Sequence, residues 1–186
     1  METGVINVSR AARQATFPSR FQLIAAMNPC PCGYANDDSQ ICRCSVDVIR
    51  RYQARLSGPF LDRIDLRISL QREPQSPWFD SSLSNAGSAE ESSSVVRARV
   101  NEVRVKQLQR QGIENARFDF SVGSSFDQFD NETKQFYREA SESLQLSLRA
   151  GHRVLRVART IADLDHRDDM ASLDIAEAMT YRGVGL

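Results

Sequence analysis

The chain has 186 residues, enough for one ordinary domain or two small ones. Apolar residues make up 41% and charged residues 26%, the balance of a folded chain rather than a disordered one. Twenty-four basic residues cancel twenty-four acidic ones, and no apolar run approaches the roughly 18 residues that span a membrane. Neither a global field nor a membrane anchor therefore announces a partner, and the start shows no basic-then-apolar signal pattern; a cytoplasmic location is expected.

Two finer features of composition bear on nucleotide chemistry. Only Lys106 and Lys134 are lysines, the remaining cations being arginines, whose planar fork of donors suits phosphates and carboxylates. Neither lysine follows a glycine, so the phosphate-cradling Gly-x-x-x-x-Gly-Lys-Ser/Thr loop is absent.

In chain order, residues 4–9 alternate apolar and polar, and Arg13 to Phe17 reads as a returning partner, which predicts a β-hairpin with its tip near Arg10 to Ala12. Phe21 to Met27 is apolar except for Gln22 and predicts a strand buried on both faces, as in a parallel sheet, ending at Asn28 and Pro29. Residues 30–44 are loop-like and hold all four cysteines. Ser45 is placed to cap a helix with Val46, Ile49, Tyr52 and Leu56 at helical spacing, ended by Ser57, Gly58 and Pro59. Ile64 to Leu70 alternates again as a second strand. Residues 71–94, rich in Ser, Pro, Gly and acidic residues and containing the lone Trp78, read as a linker. Beyond it the pattern is helical, over 95–111, 131–144, about Leu146 to Leu164, and from Ser172. The third of these puts Val154, Val157, Ala158 and Ile161 on one face and Arg149, Arg153 and Arg156 in a stripe on the other.

The cysteines come as Cys30-x-Cys32, nine residues, then Cys42-x-Cys44. Two close pairs bracketing a loop can give four thiolates to one tetrahedral zinc, the alternative being incidental or buried thiols. Asn28, at a strand's carboxyl end, either orients a water or phosphate or simply forms a turn. Arg63, in Leu61-Asp62-Arg63-Ile64-Asp65, either reaches a phosphate on a neighbouring subunit or pairs with Asp62 or Asp65. The arginine stripe is open to the same doubling, since charged helix faces are commonly solvated. His152 and His166 have no partners at ligand spacing.

Five segments together carry a resemblance. They are Ser9-Arg10-Ala11, Phe17 to Phe21 (FPSRF), Ala25 to Tyr34 (AAMNPCPCGY), Arg55 to Leu66 (RLSGPFLDRIDL) and Leu155 to Leu164 (LRVARTIADL). They resemble the YifB/ComM family, the magnesium-chelatase-like AAA+ ATPases of bacteria, along nearly the whole chain apart from the linker. Gly151 departs from the pattern, standing where the family usually carries a bulky residue.

The resemblance implies an α/β fold: the second half of a AAA+ parallel-sheet core over 1–70 (hairpin, sensor 1 strand, helix, strand), with the Cys-rich loop at 30–44. The linker at 71–94 and a small all-α lid domain over 95–186 would follow. The chain is expected to begin just after the Walker B segment, so it alone should neither bind ATP tightly nor hydrolyse it. By the same resemblance Asn28 would be sensor 1, Arg63 the arginine finger completing a neighbour's site, and Arg149 the sensor 2 residue. Arg10, with Arg13 second, would touch DNA from the hairpin tip. The implied parent is a ring-forming, ATP- and Mg2+-dependent motor on single-stranded or branched DNA, related to competence. A chelatase-type ATPase for metal insertion and a zinc-stabilised interaction module without catalysis are the alternatives.

Overall fold

The computed structural model describes residues 4–10, 13–35, 37, 40–70, 91–120 and 129–182, and these gather into two units, Met1–Arg63 and Ile64–Leu186. In the first unit, strand β1 (Val5–Arg10) pairs antiparallel with β2 (Arg13–Pro18), in a register running from Val5 opposite Pro18 to Arg10 opposite Arg13. The period-2 alternation sorts the faces. Ile6, Val8, Ala15 and Phe17 share one side with the two arginines, and Asn7, Ser9, Gln14 and Thr16 share the other. On the polar face the Thr16 hydroxyl donates to Asn7 Oδ1 at 2.8 Å. The Ser19 N–H donates to Gly4 O at 2.8 Å, closing the base of the hairpin.

The predicted strands at 21–27 and 64–70 do not form. Both run as irregular chain without a ladder, and Ile24 is 85% exposed. A strand needs a neighbour for its backbone groups, and among the described residues β1 and β2 are the only strands and satisfy each other. The parallel sheet expected from the apolar runs is thus replaced by one two-stranded antiparallel ribbon. Helix α1 (Val46–Gln53) forms as read, with Ser45 Oγ accepting from the Val48 N–H at 3.4 Å. Ser57 does not end that helix. It caps a second, short one, α2 (Gly58–Leu61), whose early Pro59 occupies a position where a missing N–H costs nothing.

The second unit is helical: α3 (Ser93–Gln111), a single 3-10 turn (Asn115–Arg117), α4 (Asn131–Ser143), α5 (Leu148–Leu164) and α6 (Ser172–Thr180). The predicted linker falls largely outside the described residues, Trp78 included; its last residues are the Ser92 cap and first turn of α3. Asp130 and Ser147 cap α4 and α5, while α6 is started by the Asp174 carboxylate accepting from the Ala171 N–H at 2.7 Å.

Val154, Leu155 and Ala158 of α5 pack with Ile175, Ala178 and Met179 of α6, and Phe120, Phe129 and Met170 complete the core. Of the predicted apolar face, Val154 and Ala158 are fully buried, and Val157 and Ile161 flank the core at its edge. Residues 64–67 lie along this unit. Arg182 Nη1 donates to Ile64 O at 2.7 Å, the Arg67 N–H donates to Tyr181 O at 2.7 Å, and Asp65 pairs with Arg153 of α5. Among the described residues no helix is long and apolar enough to cross a membrane.

Candidate functional site

The first unit has almost no apolar interior. Of its described residues Cys30 alone is buried, and the other three cysteines gather around it. The chain turns sharply through Pro31 to Gly33, where the Gly33 N–H donates to Cys30 O at 3.0 Å; Gly33 takes φ +87°, a conformation that a side chain would strain. This reversal brings Cys32 back against Cys30. Residues 40–45 run alongside and deliver Cys42 and Cys44, and Gln53 Nε2 of α1 holds the loop by donating to Pro29 O at 3.2 Å.

The sulfur atoms of Cys30 and Cys32 are 3.3 Å apart, those of Cys32 and Cys42 3.5 Å, and those of Cys30 and Cys42 3.7 Å. All four lie within 4.8 Å of one another. Four sulfurs at the usual zinc–thiolate distance on a tetrahedron stand about 3.8 Å apart, so the set fits a single metal ion with little adjustment. The thiols differ in proton affinity. Cys32 is drawn down to about 6, first by the backbone N–H of Tyr34 and then by Cys30 and the backbone N–H of Arg43. For Cys42 a hydrogen bond from the Cys44 backbone pulls down, but burial and the neighbouring Cys32 and Cys30 push the thiol up to about 11; Cys44 is raised by the same neighbours. Crowded thiols of this kind resist joint ionisation until a cation takes the charge, and metal binding then releases their protons.

The other predicted site residues fall as follows. Arg10 and Arg13 face each other across the hairpin, both exposed, beside a tip that lies outside the described residues. Asn28 is exposed on irregular chain rather than at the end of a buried strand, its side chain against Gly33. Arg63, half-buried after α2, donates through Nη1 to Pro59 O at 2.6 Å. Its alternative partner Asp65 is instead engaged by Arg153. Arg149 is exposed in the first turn of α5.

The arginine stripe divides. Arg153 is 5% exposed and bound to Asp65, and Arg156 donates to Phe118 O at 2.8 Å. Both are part of the internal packing of the helical unit, a role that neither the solvated-face nor the phosphate-binding reading anticipated. Helical spacing placed them correctly on one side of α5; what it lacked was the knowledge that residues 64–67 and the 3-10 turn cover that side.

Comparison with known proteins gives two adjoining family matches. Residues 1–77 match the model described as magnesium chelatase, subunit ChlI, and residues 90–182 match that of the ChlI C-terminal region. The chain is 41% identical over 184 residues to the competence protein ComM of Haemophilus influenzae and 39% identical over 184 residues to the uncharacterized protein YifB of Escherichia coli. An uncharacterized protein of Mycobacterium bovis is 35% identical over 195 residues. The first two alignments cover 99% of this chain but 35% of each relative, and the third covers all of this chain and 36% of the relative, so the chain spans about a third of their length.

Proposed function

The chain belongs to the magnesium-chelatase-like AAA+ family of ComM and YifB, and from that membership we propose that it forms part of a ring-forming, ATP-driven motor on single-stranded or branched DNA. The observation that carries the DNA reading is the hairpin tip. Arg10 and Arg13 are direct cross-strand neighbours on an exposed ribbon. Like charges placed opposite each other destabilise a hairpin, a cost that an anionic backbone lying across the tip would offset. Such contacts position a strand without reading its sequence.

In this reading Asn28 orients the attacking water, Arg63 reaches the γ-phosphate bound by a neighbouring subunit, and Arg149 couples the helical unit to the bound nucleotide. ATP and Mg2+ themselves fit no site that this chain makes alone, since no Gly-rich loop followed by lysine is present. Its residues complete a nucleotide site whose phosphate-binding part lies elsewhere in the assembly. The four cysteines hold a structural zinc, which fastens the loop carrying Asn28 and Gly33.

The family model's own description favours a second reading, an ATPase subunit that drives metal insertion with partner proteins. The two part in one experiment, ATP hydrolysis by the relative-length protein with and without single-stranded DNA, for wild type and Arg63→Ala. DNA-stimulated turnover that falls by about 10³-fold or more in the variant supports the motor and the intersubunit role of Arg63. Turnover indifferent to DNA removes the motor and leaves the chelatase-type ATPase.

A further inference from the structure

The cysteine loop makes more than a place for a metal. Beside it opens a cleft of about 590 Å³ lined by Cys32, Tyr34, Gln40, Ile41 and Arg43. Tyr34 is 38% exposed and Ile41 90% exposed, so a ring and a branched aliphatic chain stand in water next to a guanidinium and an amide. Tyr34 and Arg43 lie on opposite arms of the loop, Tyr34 two residues after Cys32 and Arg43 between Cys42 and Cys44 of the same cluster. The first unit carries eight arginines against five acidic residues and contains no lysine, so the unit that holds the cleft is net positive in a chain that is neutral as a whole.

An exposed aromatic ring, an apolar wall, an amide and an arginine form the set that holds an unstacked nucleobase and its phosphate. The ring and aliphatic chain sandwich the base, the amide meets its polar edge, and the guanidinium pairs with the backbone. A folded duplex offers no free base face to such a cleft, whereas a single strand does. Asp37, whose N–H donates to Tyr34 O at 3.2 Å, belongs to the same loop, so the lining offers a ring and an aliphatic chain for stacking beside a single cation, Arg43.

We propose that the cleft of Tyr34, Gln40, Ile41 and Arg43 is a second single-stranded DNA contact, one that takes a base, separate from the phosphate contact of the Arg10–Arg13 hairpin. The inference rests on the DNA reading above and adds to it a base-stacking site on the cysteine loop. Base stacking tolerates every sequence, so the site adds affinity and strand selectivity rather than sequence specificity.

The test is fluorescence anisotropy of the zinc-loaded chain with a labelled oligothymidylate and with an abasic strand of equal length, across a salt series. Wild type is expected to bind the oligothymidylate at least about five-fold more tightly than the abasic strand. Tyr34→Ala should abolish that preference while keeping its zinc content, and Tyr34→Phe should retain it. Arg43→Gln should weaken both strands and lower the salt slope by about 0.7. Arg10→Ala should weaken both strands equally and leave the preference intact.

Independently of any substitution, the exposed Ile41 methyl signals should shift on adding oligothymidylate and not on adding the abasic strand. Binding that Arg10→Ala weakens, with no preference for bases and silent Ile41 methyls, overturns the cleft and keeps the DNA motor. Absence of binding by wild type overturns both.

Discussion

Gly151 is legible as an anomaly from the sequence and explicable only from its neighbour. It sits inside α5, where glycine costs about 0.5–1 kcal/mol relative to alanine. A Cβ at this position would stand 2.3 Å from the Tyr137 hydroxyl and 3.5 Å from the ring carbon that bears it. The first distance is a clash and the second an ordinary contact, so the hydroxyl alone forbids a side chain. Gly151→Ala should therefore destabilise the helical unit by about 1–3 kcal/mol through overpacking, despite its better helix propensity. In a Tyr137→Phe background the same substitution should be close to neutral or stabilising. Thermal denaturation of the four proteins of this double-mutant cycle reads the coupling directly, and additive effects would show that the close approach does not explain the glycine. Arg153 teaches a similar lesson. Its position on α5 is written in the 3.6-residue period, but its burial under Asp65 depends on a segment 88 residues away, which no local pattern reports.

Elements differ in how much of themselves they carry in their own sequence. Helices α1 and α3 to α6 are legible because their hydrogen bonds are internal and their apolar residues recur at helical spacing, with Ser45 legible as a cap; α2 is not, because Ser57, Gly58 and Pro59 read as a helix end. The hairpin was readable for the same reason, its partner being the next strand. Phe21 to Met27 and Ile64 to Leu70 were not, because a strand exists only with a neighbour, and apolar content alone does not supply one. What the sequence also hid is the polar joint between helices. Asp163 of α5 is fully buried and receives Arg110 at 2.5 and 2.9 Å, Arg159 at 2.9 Å and Asn115 at 2.8 Å. Burial alone would raise its proton affinity, but Arg110, Asn115 and Arg159 outweigh that and hold the carboxyl below its ordinary range. Asp174 is held down likewise, burial being outweighed by Arg167 and the Ala171 N–H. A depressed folded pKa gives stability that is complete above the unfolded value of about 3.9 and is lost as pH falls through the folded one. Melting temperature should thus be level between about pH 7 and 5 and drop below about 4. Asp163→Ala, which strands two arginines around a buried gap, should cost about 3–5 kcal/mol and flatten that acid limb. An unchanged acid limb in the variant would assign the effect to other carboxylates.

At the scale of the whole molecule the two units rest on different physics. The helical unit has a contiguous apolar core and a buried ionic joint; the first unit buries one described residue, Cys30, and leaves Phe21, Ile24, Ile41 and Val46 largely in water. Burial on that scale does not offset the chain entropy of ordering the unit, so a cross-link or the cover of further protein has to supply the rest. Four thiols gathered within 4.8 Å are the available staple. The chain should therefore bind one zinc ion, and removing it should affect only part of the molecule. Helices α3 to α6 have nineteen, thirteen, seventeen and nine residues against eight and four for α1 and α2, so far-ultraviolet circular dichroism reports chiefly on the second unit. On adding a strong chelator that signal should change little, while amide exchange accelerates over residues 30–44 and in α1, which Gln53 fastens to the loop at Pro29. Acid below about pH 4 should do the reverse to the dichroism, collapsing it through Asp163 and Asp174. Exchange at 30–44 that ignores the chelator would mean the cysteine cluster holds no structural metal, and the first unit would then need a protein partner to supply the apolar cover it lacks.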